Sequence, residues 1–163
     1  MTDSSVHDRV AASIDIAAPP EVVWALVTDV TRMPEFSPEL RGARWESTVT
    51  EPKVGARFKG FNKHGAVRWS TSCEVIAAEP LRRFGYRVTY FGLKISEWFF
   101  ELAPAAGGGT TLTESTRDRR AILTKYTTGP ATGVLDRATH NLAGIRSTLA
   151  AIKTVAERDA ATA

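Results

Sequence analysis

The sequence predicts an α+β domain: a curved antiparallel sheet of about seven strands wrapped around one long C-terminal helix, with two short helices after the first strand. Three observations predict it. Residues 43–117 read as successive strands joined by short turns, which implies an antiparallel meander. Leu135, Ala138, Leu142, Ile145, Leu149, Ile152 and Ala156 then recur at alternating intervals of three and four, one unbroken apolar stripe on a helix. That stripe needs a large apolar surface, and the concave face of the sheet is the only candidate.

The first strand is expected over 10–18, where Val10, Ala12, Ile14, Ile16 and Ala18 alternate with more polar neighbours. Pro19-Pro20 ends it and suits the first turn of a helix over 21–29, with Val23, Trp24, Val27 and Val30 on one side. Pro34 and Pro38 limit 31–40 to broken helical turns. Strands are expected over 43–49, 56–62, 66–78, 84–90, 93–102 and 110–117. Lys63-His64-Gly65 makes a plausible tight hairpin, and the glycines at 107–109 make the last turn. Gly129-Pro130 marks the start of the long helix, which Gly133 and Gly144 weaken by about 1 kcal/mol each. One domain over 8–158 is expected, with frayed tails at 1–7 and 159–163.

Composition narrows the partners. Lys and Arg total 21 against 18 Asp and Glu, a scattered excess of +3 that does not build the clustered basic face of a nucleic-acid-binding protein. One cysteine, Cys73, forms no internal disulfide and fits a reducing compartment. No signal peptide, lipidation motif or apolar run approaching the roughly 20 residues of a membrane span is seen. A cytoplasmic protein with no stable membrane anchor and no nucleic-acid partner is expected.

Several segments carry a family resemblance. Residues 16–29 (IAAPPEVVWALVTD) resemble the first strand, proline and tryptophan-bearing helix of the polyketide cyclase/dehydrase and lipid-transport group. Residues 33–39 resemble its following segment, 54–62 (VGARFKGFN) its next strand, 69–80 its long strand and 145–157 the end of its C-terminal helix. The order and spacing of these motifs resemble the helix-grip fold shared by START domains, the birch-pollen allergen and the wider SRPBCC superfamily. The resemblance implies a deep cavity between sheet and helix for an apolar or aromatic small molecule. It implies no shared catalytic set, because members either carry ligands or catalyse cyclisation, aromatisation or dehydration of polyketides.

Strand parity identifies the inward face. Phe84, Tyr86, Val88 and Tyr90 share one face of their strand, and Trp98, Phe100 and Leu102 share one face of the next. Trp69, Cys73 and Val75 share another, Phe58 brings Asn62 inward with it, and Trp45 joins them. From the helix, Ala138, Leu142 and Ile145 complete the lining, with small Gly144 and Ala131 nearby and Asn141 on the flank. Stacked rings with a few polar tips suit a flat, mostly apolar ligand bearing oxygen substituents, in a pocket above about 300 Å³. The rings can equally fill a core.

Leu112 must face inward, and Glu114 shares its parity. A carboxyl inside an apolar cavity either pairs or stays protonated, and the latter can bind a carbonyl or act as a general acid. Glu114 is therefore the one candidate catalytic residue. Its alternatives are an ion pair with Arg68 or Arg117, or a bulge that turns it outward. His7 lies in the tail, His64 in a turn, and His140 about 180° from the apolar stripe, hence towards solvent. These scattered histidines give no metal-ligand spacing, and no phosphate-binding glycine loop opens a helix, so neither metal nor cofactor is expected. Cys73 is expected to be an inert buried thiol. Arg117, Arg119 and Arg120 read as a solvated strand end, or as an entrance attracting an acidic ligand. The segments 33–38, 63–65 and 125–129 are expected at the rim.

Three functions follow. The first is binding of a small apolar or aromatic molecule of polyketide, lipid or quinone type. The second is a polyketide aromatase/cyclase or dehydratase, with Glu114, Asn62, Tyr86 and Tyr90 as the available acid/base groups. The third is an interaction module with a filled core, for which outward-facing Phe61 and Phe99 are the docking features; they equally suit a homodimer.

Overall fold

The computed structural model describes residues 9–121 and 136–163, apart from 47, 49 and 50. Strand β1 (Arg9–Ile16) is followed by helix α1 (Pro20–Thr28) and a 3₁₀ segment (Val30–Glu35). Six strands follow: β2 (Leu40–Trp45), β3 (Arg57–His64), β4 (Val67–Glu79), β5 (Arg83–Tyr90), β6 (Leu93–Pro104) and β7 (Thr110–Asp118). Helix α2 (Arg137–Ala161) closes the described chain. The strands form one antiparallel sheet in the order β1-β7-β6-β5-β4-β3-β2. Consecutive β1 and β2 thus occupy opposite edges, and the meander β2 to β7 fills the space between them.

Pairing sets most strand limits. β2 starts at Leu40, earlier than the composition suggested, because Leu40 to Trp45 pair with Asn62 to Phe58 across an irregularity between Leu40 and Gly42. It is an edge strand with one partner, so its ends follow that partner. The glycine turn before β7 is required by space: Gly109 has φ +80°, and a Cβ there would collide with the carbonyl of Ile16.

Helix α2 buries Ile145, Leu149, Ile152 and Ala156, none more than 2% exposed. They pack against β1, β7 and α1, and each large aliphatic among them stabilises the fold by roughly 1.5–3 kcal/mol. Polar ties fix the same union. Glu157 Oε1 accepts from the Ala17 N–H at 2.9 Å, and Lys153 Nζ donates to the Asp15 carbonyl at 2.6 Å. Asp136 caps the helix, accepting from the Thr139 N–H at 3.1 Å. The expected start at Gly129-Pro130 lies outside the described residues. At the other end the helix continues to Ala161, beyond the expected frayed tail from 159, because Ala160 still packs against the core.

Candidate functional site

The apolar stripe of α2 is spent on β1 and α1, so it is the flank of the helix that faces the middle of the sheet. There a cavity of about 280 Å³ remains between helix and sheet, at the lower end of small-molecule pockets and slightly under the expected size. Phe58, Asn62, Trp69, Tyr86, Tyr90, Trp98, Phe100 and Glu114 line it from the sheet, as parity predicts, and Asn141 lines it from the helix. The segment from Met33 to Leu40 supplies further wall, Met33, Phe36, Pro38 and Leu40 among it.

Five expected residues stand elsewhere. Trp45 meets Phe58 edge to face at 5.7 Å between centroids, and Phe58 meets Tyr86 at 5.2 Å, so Trp45 backs the wall without reaching the space. Leu112 and Ile145 are fully buried in the packed core. Ala138 is exposed and Leu142 half-buried, both outside the lining. The lining of α2 is instead Arg137, His140, Asn141, Gly144 and Thr148, a face centred about 100° from the stripe, with Ile152 at the stripe's edge. Gly144 leaves room: a Cβ there would meet only Pro38 Cγ, at 4.0 Å.

His140 is the clearest reversal. Rather than facing solvent, it lines the cavity, its Nε2 3.3 Å from Glu39 Oε1 and its ring 5.0 Å from that of His64. The basic cluster divides. Arg117 is exposed, and Arg119 donates to the outer-face carboxylate of Glu97 at 2.9 Å. Arg120 turns to the cavity, where its Nη2 lies 2.6 Å from Asp118 Oδ2. Phe99 is half-buried, its ring covering Gly85 beneath the Arg83 guanidinium, which sits 4.5 Å from the ring centroid. Phe61 is 38% exposed. Of the expected rim, 125–129 lies outside the described residues.

The cavity is therefore apolar and aromatic within, with charged and amide groups at its rim. Glu114 is the exception inside. β7 pairs with β1 and β6 without a bulge, so Glu114 points inward. It is 4% exposed, and its Oε2 has no hydrogen-bond partner among the described residues. Burial without an ion pair holds its carboxyl well above the usual carboxylate range, which favours the neutral acid. Burial likewise holds the Tyr86 hydroxyl well above its usual range, which favours the neutral phenol. The interior thus offers hydrogen-bond donors to an oxygen-bearing ligand, and an acid for proton transfer.

Cys73 also lines the wall, and burial pushes its thiol up to about 12. It is a thiol, not a thiolate, at neutral pH. Ellman's reagent at pH 8 is expected to find no reactive thiol in the native protein and one in urea. Rapid native reaction would contradict this reading of the cavity.

A sheet gripping a C-terminal helix across a cavity is the helix-grip architecture, and the sequence agrees. The chain belongs to the polyketide cyclase/dehydrase and lipid transport family, whose model matches residues 7–157. A polyketide-cyclase-like protein of Corynebacterium glutamicum, known from its solution structure, is 36% identical, with 98% of this chain and 95% of that one covered and a TM-score of 0.63. The di-domain aromatase/cyclase StfQ of the steffimycin biosynthetic pathway shares the fold at 16% identity and a TM-score of 0.73; 94% of this chain is covered, and it spans 51% of StfQ. A Deinococcus radiodurans protein shares it at 19% identity and a TM-score of 0.65, with 93% and 98% of the two chains covered. No curated protein matches the chain in sequence. No helix among the described residues is long and apolar enough to cross a membrane.

Proposed function

We propose that the protein binds a small, flat, mostly apolar molecule of polyketide, lipid or quinone type between sheet and helix. The observation that carries this is buried Glu114, whose Oε2 has no hydrogen-bond partner among the described residues, inside an aromatic-walled space. A buried polar group without a partner costs about 1–3 kcal/mol, which a ligand oxygen accepting its proton would offset. Trp69, Trp98 and Phe100 offer faces and edges for the ligand body, and the rim amides Asn62 and Asn141 offer contacts for a polar end. The family, and the fold shared with an aromatase/cyclase, support a ligand-binding or cyclase role. An interaction module with a filled core does not fit about 280 Å³ of space.

Glu114 also favours a second reading, an aromatase/cyclase or dehydratase in which that carboxyl is the general acid and the cavity folds and desolvates a reactive chain. Native mass spectrometry of protein purified from its own host tests the first reading. A co-purifying small molecule, released on unfolding, is the expected result. Absence of any adduct, together with no saturable binding of flat aromatic probes, would overturn it.

A further inference from the structure

Three residues remote in sequence converge at the cavity rim. Glu39 follows the 3₁₀ segment, His64 ends β3, and His140 lies in the first turn of α2. One ligand atom of each lies within 4.8 Å of the other two, and all three side chains are half-buried. Backbone bonds hold them there. The Lys63 N–H donates to the Glu39 carbonyl at 2.9 Å, tying Glu39 to the hairpin that carries His64, and the His140 N–H donates to the carbonyl of the capping residue Asp136 at 3.2 Å.

A Glu–His hydrogen bond accounts for two of these groups but not the third. His64 meets His140 edge to face, at 89° and 5.0 Å, with its own nitrogen turned towards the same point. We propose that Glu39, His64 and His140 form a binding site for a divalent first-row transition metal ion, zinc in the first place, at the rim of the cavity. Two imidazoles and one carboxylate are a recurrent ligand set for such ions, and leave a coordination position open. Bonds of about 2.0–2.1 Å in a tetrahedron place ligand atoms about 3.3 Å apart. His140 Nε2 and Glu39 Oε1 already stand at 3.3 Å, so closing the site needs only the approach of the His64 ring.

Arg137 bears on the same carboxylate, its Nη1 3.3 Å from Oε1 and 3.5 Å from Oε2. With the ion on Oε1, Arg137 keeps Oε2, as outer partners of ligating carboxylates do. Its charge lowers affinity without removing the site. The site stands independently of what occupies the cavity.

Titration of the untagged full-length protein with Co²⁺, followed by its visible d–d absorption and by competition with Zn²⁺, is the test. One equivalent should bind with the intense bands of a low-coordinate site. His64→Ala and His140→Ala should each weaken binding by more than about 100-fold, while His7→Ala leaves it unchanged. In the wild-type protein, Zn²⁺ should shift the imidazole NMR resonances of His64 and His140 and not those of His7, a readout that needs no variant. Absence of Co²⁺ absorption at millimolar metal, binding that survives loss of both His64 and His140, or Zn²⁺ shifts confined to His7, would overturn the proposal.

Discussion

Gly144→Leu is expected to abolish ligand capture while leaving the protein as stable as before or more so. Gly144 sits within α2, on the face that borders the cavity. A Cβ there meets one neighbour within 4 Å, Pro38 Cγ at 4.0 Å, and it borders the cavity. Leucine would therefore extend into the cavity and occupy a substantial share of its 280 Å³. Glycine inside a helix costs about 1 kcal/mol relative to a good helix former, so the exchange removes that cost. Folding and binding are expected to move in opposite directions: an unchanged or raised Tm by calorimetry, and no adduct by native mass spectrometry. A variant that keeps full adduct occupancy would place the ligand elsewhere. A variant that loses several kcal/mol would mean the helix flank is packed rather than open.

Glu114→Gln is expected to stabilise the protein at alkaline pH and flatten its stability profile. The folded-state carboxyl titrates well above the usual range because it is buried without a counter-charge. In the unfolded chain it titrates near pH 4.3, the ordinary value for glutamate. Between those two values the native protein holds a proton that the unfolded chain has released. Stability therefore falls as pH rises through that window, by up to about 1.4 kcal/mol per pH unit from this group. Below pH 4 both states are protonated and the group has no effect. Glutamine is nearly isosteric and never ionises, so the variant should match wild type near pH 4 and exceed it by a growing margin as pH rises above that. Urea titrations across that range measure the difference. Parallel profiles would show that Glu114 has a partner or ionises freely.

The same variant separates the two functional readings. A general acid at 114 cannot be replaced by an amide, so turnover of a polyketide substrate would vanish. A carrier needs only a donor, and the glutamine N–H provides one. Binding should then persist with modest loss.

Much of this was legible in the sequence because β-strands alternate strictly. The inward set of β5 follows from Phe84 alone, and Glu114 follows from Leu112, because β7 pairs on both sides without a bulge. Parity names a face, however, and not a position along it. Trp45 has the inward face but lies behind Phe58, and Leu112 lies where the core is already filled. The helix misled for a different reason. An apolar stripe reports where the helix packs, and α2 packs on β1 and α1, so the cavity meets its flank. Gly144 and Asn141 are the residues this rotation brings in, together with His140, which the stripe alone assigned to solvent. The meeting of Glu39, His64 and His140 had no local signal at all, since it depends on β3, the 3₁₀ segment and α2 reaching the same end of the sheet. Of the arginines read as a solvated strand end or an entrance, Arg120 lines the cavity, paired with Asp118 two residues before it.

The central claim is that the space between sheet and helix is a hollow that a ligand enters. A crystal structure of the protein purified from its own host tests it most directly. Continuous non-protein density bounded by Tyr86, Trp98, Phe100 and Gly144, with an oxygen within hydrogen-bond distance of Glu114, is the predicted result. Density showing Trp69, Tyr86, Tyr90 and Trp98 interlocked across that space, with no volume left beside Gly144, would contradict it.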